Sequence, residues 1–103
     1  MNKLSLSLLV CAAVLFAASP AFAGGNAAAG KEKADSCADC HGDDGKGDSD
    51  VPGIAGMSVA DFTKAMGEYK SGAKKNHQME KVAKKLSDED VADLAAYFAT
   101  LKK

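Results

Sequence analysis

The sequence Cys37-Ala38-Asp39-Cys40-His41 decides most of what this chain can fold into. Two thiols lie about one helical turn apart, and an imidazole directly follows the second thiol. This C-x-x-C-H spacing is typical of covalent attachment of a c-type haem. Each thiol can bond one vinyl group of the porphyrin, and the adjacent imidazole can then reach the iron. The motif therefore predicts one haem c bound through Cys37 and Cys40, with His41 as an axial ligand.

Other uses of paired cysteines fit the surrounding sequence less well. A thioredoxin-like C-x-x-C requires a βαβ context, and no strand pattern precedes Cys37. A structural zinc site requires four ligands, whereas residues 24–103 contain two cysteines and, apart from His41, only His77. A disulfide between Cys37 and Cys40 is chemically possible in an oxidising compartment, but it would close almost no chain.

Residues 1–23 have the pattern of a secretory signal peptide. Lys3 precedes an apolar run from Leu4 to Phe16, and Ala21-Phe22-Ala23 has the small-x-small pattern of a cleavage site. The apolar run is shorter than the ~20 residues that a membrane-spanning helix needs, so stable membrane insertion is not expected. We expect export to the periplasm, removal of the signal peptide and a single mature domain of residues 24–103.

The mature domain is poor in large apolar side chains. Of its 80 residues, 31 are apolar, but 14 of these are alanine and two are cysteine. Its 12 lysines nearly balance its 14 acidic residues, so it lacks both the high net charge of a disordered chain and the basic surplus of a nucleic-acid binder. A small domain with so little core usually needs a disulfide, a metal or an oligomeric partner. A buried haem can supply the missing core.

Apolar residues at helical spacing predict an all-α domain without strands. Gly30 lies inside the first predicted helix, where it lowers helix stability, so we expect another helix to pass close to it. Ser87 and Asp90 have the spacing of a capping box at the start of the last helix. The four predicted helices cover residues 27–36, 59–71, 79–86 and 88–101.

Several side chains are candidates for the sixth position of the iron. Met66 lies on the apolar stripe of the second helix, where a methionine usually fills the core. Met79 follows a polar turn, where the chain can fold over a haem face. Methionine ligation raises the reduction potential and suits electron transfer. The residues alone leave Met79, His77, Met57 and an open site as alternatives.

Short segments at characteristic positions accompany the C-x-x-C-H motif. They are Ala29-Gly30-Lys31, Pro52-Gly53-Ile54-Ala55-Gly56, Tyr69-Lys70-Ser71-Gly72, Met79, and the stretch from Leu86 to Phe98. With these segments the chain resembles the class I monohaem c-type cytochromes, in particular the small soluble bacterial type called c553 or c551. The resemblance covers residues 27–101. It implies a class I cytochrome c fold, with about four helices packed around one covalently bound haem c.

The resemblance also implies roles for individual residues. Cys37 and Cys40 would form the thioethers, with His41 as the proximal ligand of the iron and Met79 as the distal ligand. The carbonyl of Pro52 would accept a hydrogen bond from Nδ1 of His41, which would tune the basicity of that ligand. Gly30 would lie where the first and last helices cross.

Two positions depart from the pattern of the family. Ala34 occupies a place where the family usually has an aromatic side chain, so we expect the helix crossing to be less filled and to depend on Tyr97 or Phe98. Met57 stands where the family often has glutamine. Met57 therefore remains a minor candidate for the iron or a flexible packing residue over the haem.

These expectations together predict a periplasmic one-electron carrier that cycles haem iron between Fe(III) and Fe(II). Two axial ligands leave no open position for substrate, so we predict no catalytic residue and no enzymatic activity. The expected partners are a redox protein donor and an acceptor that dock transiently onto a monomer, and nucleic acid is not expected. The alternatives are a haem-based sensor or gas-binding module with an open sixth site, and a haem subunit of a periplasmic oxidoreductase.

The charges of the mature domain are unevenly distributed along the sequence. Five lysines surround the Met79 segment and four aspartates follow His41; they are Lys74, Lys75, Lys81, Lys84 and Lys85, and Asp43, Asp44, Asp48 and Asp50. Such asymmetry can orient a charged partner. The same uneven distribution is equally expected if both groups of charged side chains simply face solvent and bind no partner.

Overall fold

The computed structural model describes residues 24–103, and the predicted signal peptide lies outside the described residues. The described part of the chain contains five helices and no strand, which confirms the all-α prediction. Within it, no helix combines the length and the apolar composition that a bilayer crossing requires. The helices are α1 (Ala27–Lys33), α2 (Asp35–His41), α3 (Val59–Ser71), α4 (His77–Lys85) and α5 (Asp88–Ala99).

Helical structure breaks inside the first predicted helix and continues to His41, beyond the predicted end at residue 36, which raises the number of helices from four to five. Ala34 separates α1 from α2, and the Cys37 amide donates to the Ala34 carbonyl three residues back, at 2.9 Å. A hydrogen bond between residues three apart, rather than four apart as in an α-helix, makes the turn tighter. The tightened turn starts a new helix that contains both cysteines and ends at His41.

Side-chain caps fix the starts of α3, α4 and α5. The Ser58 hydroxyl accepts from the Asp61 amide, and Asn76 Oδ1 accepts from the Met79 amide at 3.0 Å. Ser87 and Asp90 form the capping box that their spacing predicted. These caps satisfy amides that have no partner within the first turn of a helix. Local sequence therefore sets where these three helices begin.

The end of α3 depends on a glycine. Gly72 has a left-handed conformation with φ of 85° and donates its amide to the Tyr69 carbonyl. A residue with a Cβ rarely adopts this conformation, whereas glycine adopts it at little cost. The chain can thus leave α3 sharply and enter the short polar segment that leads to α4.

The crossing of α1 and α5 closes the fold, as predicted. A Cβ on Gly30 would overlap the Asp93 carbonyl and would lie 2.8 Å from the Tyr97 Cβ. Ala34 is buried in the same core as Phe98, while Tyr97 packs against that core from its edge. The Tyr97 and Phe98 rings lie 5.1 Å apart between centroids. The helix crossing thus combines the small Ala34 with a pair of aromatic side chains in one core.

The core is small and lies on one side of the domain. Leu94 is fully buried on α5, and the Phe98 ring stacks on the Phe62 ring of α3 at 5.6 Å between centroids. Val91, Ala95 and Phe98 of α5 are also buried, and Leu101, which follows the helix, is half-buried. On the other side of Phe62 and Met66, the helices enclose a cavity rather than more side chains.

A polar clamp that the sequence analysis did not identify joins α1 to α5. Lys33 Nζ lies 2.8 Å from Asp90 Oδ1 and 2.7 Å from Asp93 Oδ2. The second oxygen of Asp93 accepts from the Asn26 amide at 2.8 Å. Asp93 is buried, and both of its oxygens are satisfied. The hydrogen bonds from Lys33 lower the pKa of Asp93, and they lower that of Asp90 to about 2.

Candidate functional site

A cavity of about 520 Å³ lies between α2, the loop that follows it, α3 and α4. Its wall is mainly apolar, with Ile54, Phe62 and Met66 among the residues that line it. Ligand-binding cavities commonly have volumes of about 300–1,000 Å³ and apolar walls with a few polar groups. The cavity therefore has the size and the lining of a site for a bulky, largely apolar group.

Helix α2 brings both cysteines to this cavity. Cys37 is half-buried and Cys40 is exposed, and both are free thiols. Burial raises the pKa of the Cys37 thiol. Residues three apart in a helix lie on the same face, so the two sulfur atoms are presented along one wall of the cavity.

His41 is the last residue of α2 and is only 8% exposed. Its Nδ1 lies 2.8 Å from the Pro52 carbonyl oxygen, the contact that the family resemblance implies. A carbonyl can only accept a hydrogen bond, so Nδ1 carries the proton and donates it. In the neutral ring, Nε2 then keeps a lone pair, which is the form of histidine that binds metals.

The loop between α2 and α3 holds the Pro52 carbonyl in place through its own backbone. The Gly47 amide donates to the His41 carbonyl at 2.7 Å, and a Cβ on Gly47 would overlap the Val51 carbonyl. Asp48 Oδ1 accepts from the amides of Asp50 and Val51. At least Asp48 thus has a structural role as a turn-forming residue.

All three methionines of residues 24–103 reach the cavity, whereas His77 is exposed and lies outside its lining. Met66 is buried in the core, as its position on α3 predicts. Met57 and Met79 are half-buried. Met79 is in the first turn of α4, where its amide is held by Asn76. The geometry thus keeps Met79 and Met57 as candidates and places His77 away from the site.

The described residues fit a covalently held haem. The cavity offers an apolar enclosure for the porphyrin, two thiols on one wall for its vinyl groups, and a histidine whose Nδ1 is held by the Pro52 carbonyl. It also offers thioether sulfurs from methionines, which are suitable ligands for haem iron. This combination of donors matches haem c better than it matches zinc, which would need four protein ligands at one point.

Comparison with known proteins decides the family. The family model described as "Cytochrome c" matches residues 27–102. The chain belongs to the cytochrome c family. It is a small class I c-cytochrome of the monohaem type, and membership of this family implies a covalently bound haem c.

The relatives of the chain include longer and similarly sized cytochromes. It is 42% identical to cytochrome c4 of Pseudomonas aeruginosa over 103 residues, which cover 99% of this chain and 50% of the relative. It is 39% identical to cytochrome c-554(548) of Halomonas halodenitrificans over 80 residues, covering 74% of this chain and 96% of the relative. The chain therefore spans about half the length of the cytochrome c4 that it matches.

A solved structure confirms the fold class. The reduced recombinant cytochrome c4 from Pseudomonas stutzeri superposes with a TM-score of 0.70 and 33% identity. The match covers 76% of this chain and 46% of that chain. The predicted class I cytochrome c fold is thus confirmed, with five helices in the described residues rather than four.

The sequence analysis missed the polar part of the cavity lining. Tyr69, Lys74, Asn76 and Gln78 all line the cavity. The signal available was the polar turn before Met79, but periodicity does not show which side chains of a turn face inward. The other four lysines near Met79 are exposed and do not line the cavity: Lys75, Lys81, Lys84 and Lys85.

Proposed function

We propose that residues 24–103 hold one haem c through thioethers at Cys37 and Cys40, with His41 and Met79 as axial ligands, and that the holoprotein carries single electrons. The observation that carries this proposal is the hydrogen bond of 2.8 Å from His41 Nδ1 to the Pro52 carbonyl, beside a cavity lined by both cysteines and Met79. Because this hydrogen bond occupies Nδ1, Nε2 is the nitrogen of His41 that can bind the iron.

When bound, the haem supplies a reversible Fe(III)/Fe(II) couple. The remaining contributions come from the chain. The Pro52 carbonyl orients His41 and raises its basicity as a donor. The thioether of Met79 favours the reduced state, and the apolar wall around Phe62 and Met66 excludes water. If His41 and Met79 both bound the iron, no position would remain for a substrate, so we propose an electron carrier rather than an enzyme.

The proposed site of action is the periplasm. Residues 1–23 have the features of a signal peptide, and we propose that they are removed to leave the domain of residues 24–103. We further propose a monomer that meets a redox donor and a redox acceptor in transient complexes, which typically bury small interfaces.

Absorption spectra of the purified holoprotein test this proposal. With Met79 as ligand, the oxidised protein should be low-spin and show the weak far-red band of sulfur ligation. Met79→Ala should abolish that band, because the sulfur donor is removed. Met57→Ala is the matched control, since Met57 is also half-buried in the same lining, and it should keep the band. Survival of the band in Met79→Ala would reassign the ligand to Met57 or Met66.

The same spectra separate the carrier from a gas-binding module. A high-spin haem that readily binds carbon monoxide when reduced would contradict axial ligation by Met79 and would favour a sensor. A carrier with both axial positions filled should bind carbon monoxide poorly.

A second candidate function is that of a haem subunit in a periplasmic oxidoreductase. The observation in its favour is that the chain is 37% identical over 68 residues to the "Cytochrome subunit of sulfide dehydrogenase" of Chlorobaculum tepidum, which covers 66% of this chain and 62% of that protein. Gel filtration of the native protein distinguishes the two. A single domain of monomer size supports the carrier, and stable co-elution with a larger protein supports the subunit.

A further inference from the structure

The lining of the cavity contains one lysine, and this lysine forms no ion pair with the described residues. Lys74 is the single lysine among the lining residues, and the sequence contains no arginine. The two ion pairs found in residues 24–103 both belong to Lys33. No carboxylate of the described residues therefore neutralises Lys74.

Lys74 is exposed, but its ammonium group lies over an aromatic side chain of the cavity wall. Its Nζ lies 5.6 Å from the centroid of the Tyr69 ring, within the range of a cation–π contact. Its amide donates to the Glu68 carbonyl at 3.1 Å, which fixes the turn after α3. The backbone and the aromatic ring thus orient the ammonium group at the cavity.

Neutral hydrogen-bond donors lie close to Lys74 in sequence. Asn76 uses its Oδ1 to accept from the Met79 amide, which leaves the two hydrogens of its Nδ2 as donors. Gln78 lines the same cavity. The one carboxylate in the lining, Asp50, belongs to the loop that contains the Pro52 carbonyl. Like charges repel, so an acidic ligand group is favoured near Lys74 and disfavoured near Asp50.

A haem c carries two propionate carboxylates in addition to the positions that bond cysteine. We propose that Lys74, assisted by the Asn76 amide, binds a propionate carboxylate of the haem and thereby sets the reduction potential. This inference rests on the proposed function. Neutralising a carboxylate near the iron removes negative charge that would otherwise stabilise Fe(III). Loss of the Lys74 cation should therefore favour the oxidised state.

The reduction equilibrium of holoprotein variants against a small redox mediator at low salt tests the proposal. Lys74→Gln should lower the equilibrium constant for reduction about tenfold, which corresponds to a fall of about 59 mV for one electron. Lys75→Gln removes the same charge from the adjacent residue, which is also exposed but does not line the cavity, and it should change the constant less than about twofold because its charge lies farther from the proposed carboxylate. Lys74→Arg should restore most of the difference.

Equal shifts in Lys74→Gln and Lys75→Gln would overturn the inference, because only a general surface charge would then be acting. The far-red sulfur band should persist in Lys74→Gln, which shows that the axial ligands are unchanged. If no haem is attached to the wild-type protein, the proposed function fails. If haem is attached and the two shifts are equal, only this inference fails.

Lysine acetylation of the wild-type holoprotein gives a second readout that needs no variant. Peptide mass spectrometry should show Lys74 modified several times more slowly than Lys75, because an ammonium group bound to a carboxylate is less often a free amine. Equal rates at the two lysines would contradict the contact, even if Lys74→Gln failed to give a folded protein.

Discussion

Replacing Gly30 by alanine tests the helix crossing that closes the fold. The added Cβ would overlap the Asp93 carbonyl and would lie 2.6 Å from the Asp93 carbonyl carbon, both backbone atoms of α5. Backbone atoms cannot rotate away, so α1 and α5 must separate. The matched variant is Gly67→Ala on α3, where a Cβ meets nothing within 4 Å.

The two substitutions should change stability in opposite directions. Alanine favours a helix over glycine by ~1 kcal/mol, and this gain applies at both positions. At Gly30 an overpacking cost of up to ~3 kcal/mol opposes it, which leaves a net loss of ~2 kcal/mol. One kcal/mol moves the melting temperature of a domain of this size by ~4–8 °C. We expect Gly30→Ala to melt about 8–16 °C lower than wild type and Gly67→Ala about 4–8 °C higher.

Thermal unfolding of the three holoproteins, followed by far-ultraviolet circular dichroism, measures these shifts. If Gly30→Ala melted at or above the wild-type temperature, the contact between α1 and α5 would be looser than the structure indicates. A fall in both variants would instead show that the glycines are required for a reason other than helix crossing.

Two further predictions concern stability. In the clamp of Lys33 with Asp90 and Asp93, the hydrogen bond from Lys33, together with that from the Ser87 amide, lowers the folded pKa of Asp90 to about 2, below the unfolded value of ~3.9. The clamp therefore stabilises the fold above pH ~4 and loses this effect as the pH falls toward ~2. Urea midpoints should show Lys33→Gln less stable than wild type near neutral pH, with a difference that shrinks over that acid range; a constant difference would contradict the clamp. Chain produced without haem, as Cys37→Ser with Cys40→Ser, should be largely unfolded by circular dichroism, and a compact helical apoprotein would show that the apolar core is sufficient alone.

Local sequence predicted most of the secondary structure because caps and periodicity act over one or two turns. The bounds predicted for the second helix, residues 59–71, agree with α3, which Ser58 and Gly72 flank, and the predicted capping box at Ser87 starts α5. The division at Ala34 was not predicted, since alanine is a strong helix former and nothing in the residues themselves stops the helix. The tight turn at Ala34 appears only with the packed structure.

The candidate site was predicted in part. The C-x-x-C-H motif located the two cysteines and His41, and the family resemblance implied the Pro52 contact that the structure contains. The sequence did not separate His77 from the methionines as candidates for the iron. The structure places His77 outside the cavity lining, because a helix start exposes some of its side chains and buries others according to what packs against it.

The sequence by itself determined the haem-attachment motif, the helical class, the caps and the shortage of large apolar side chains. Each of these depends on residue types or on spacings of a few residues. Only the tertiary structure decided which side chains meet across long separations, such as Asn26 and Lys33 with Asp93, which are 67 and 60 residues apart. It also placed Lys74, and not the neighbouring Lys75, at the cavity. Such contacts depend on how helices pack, and no local pattern specifies that packing.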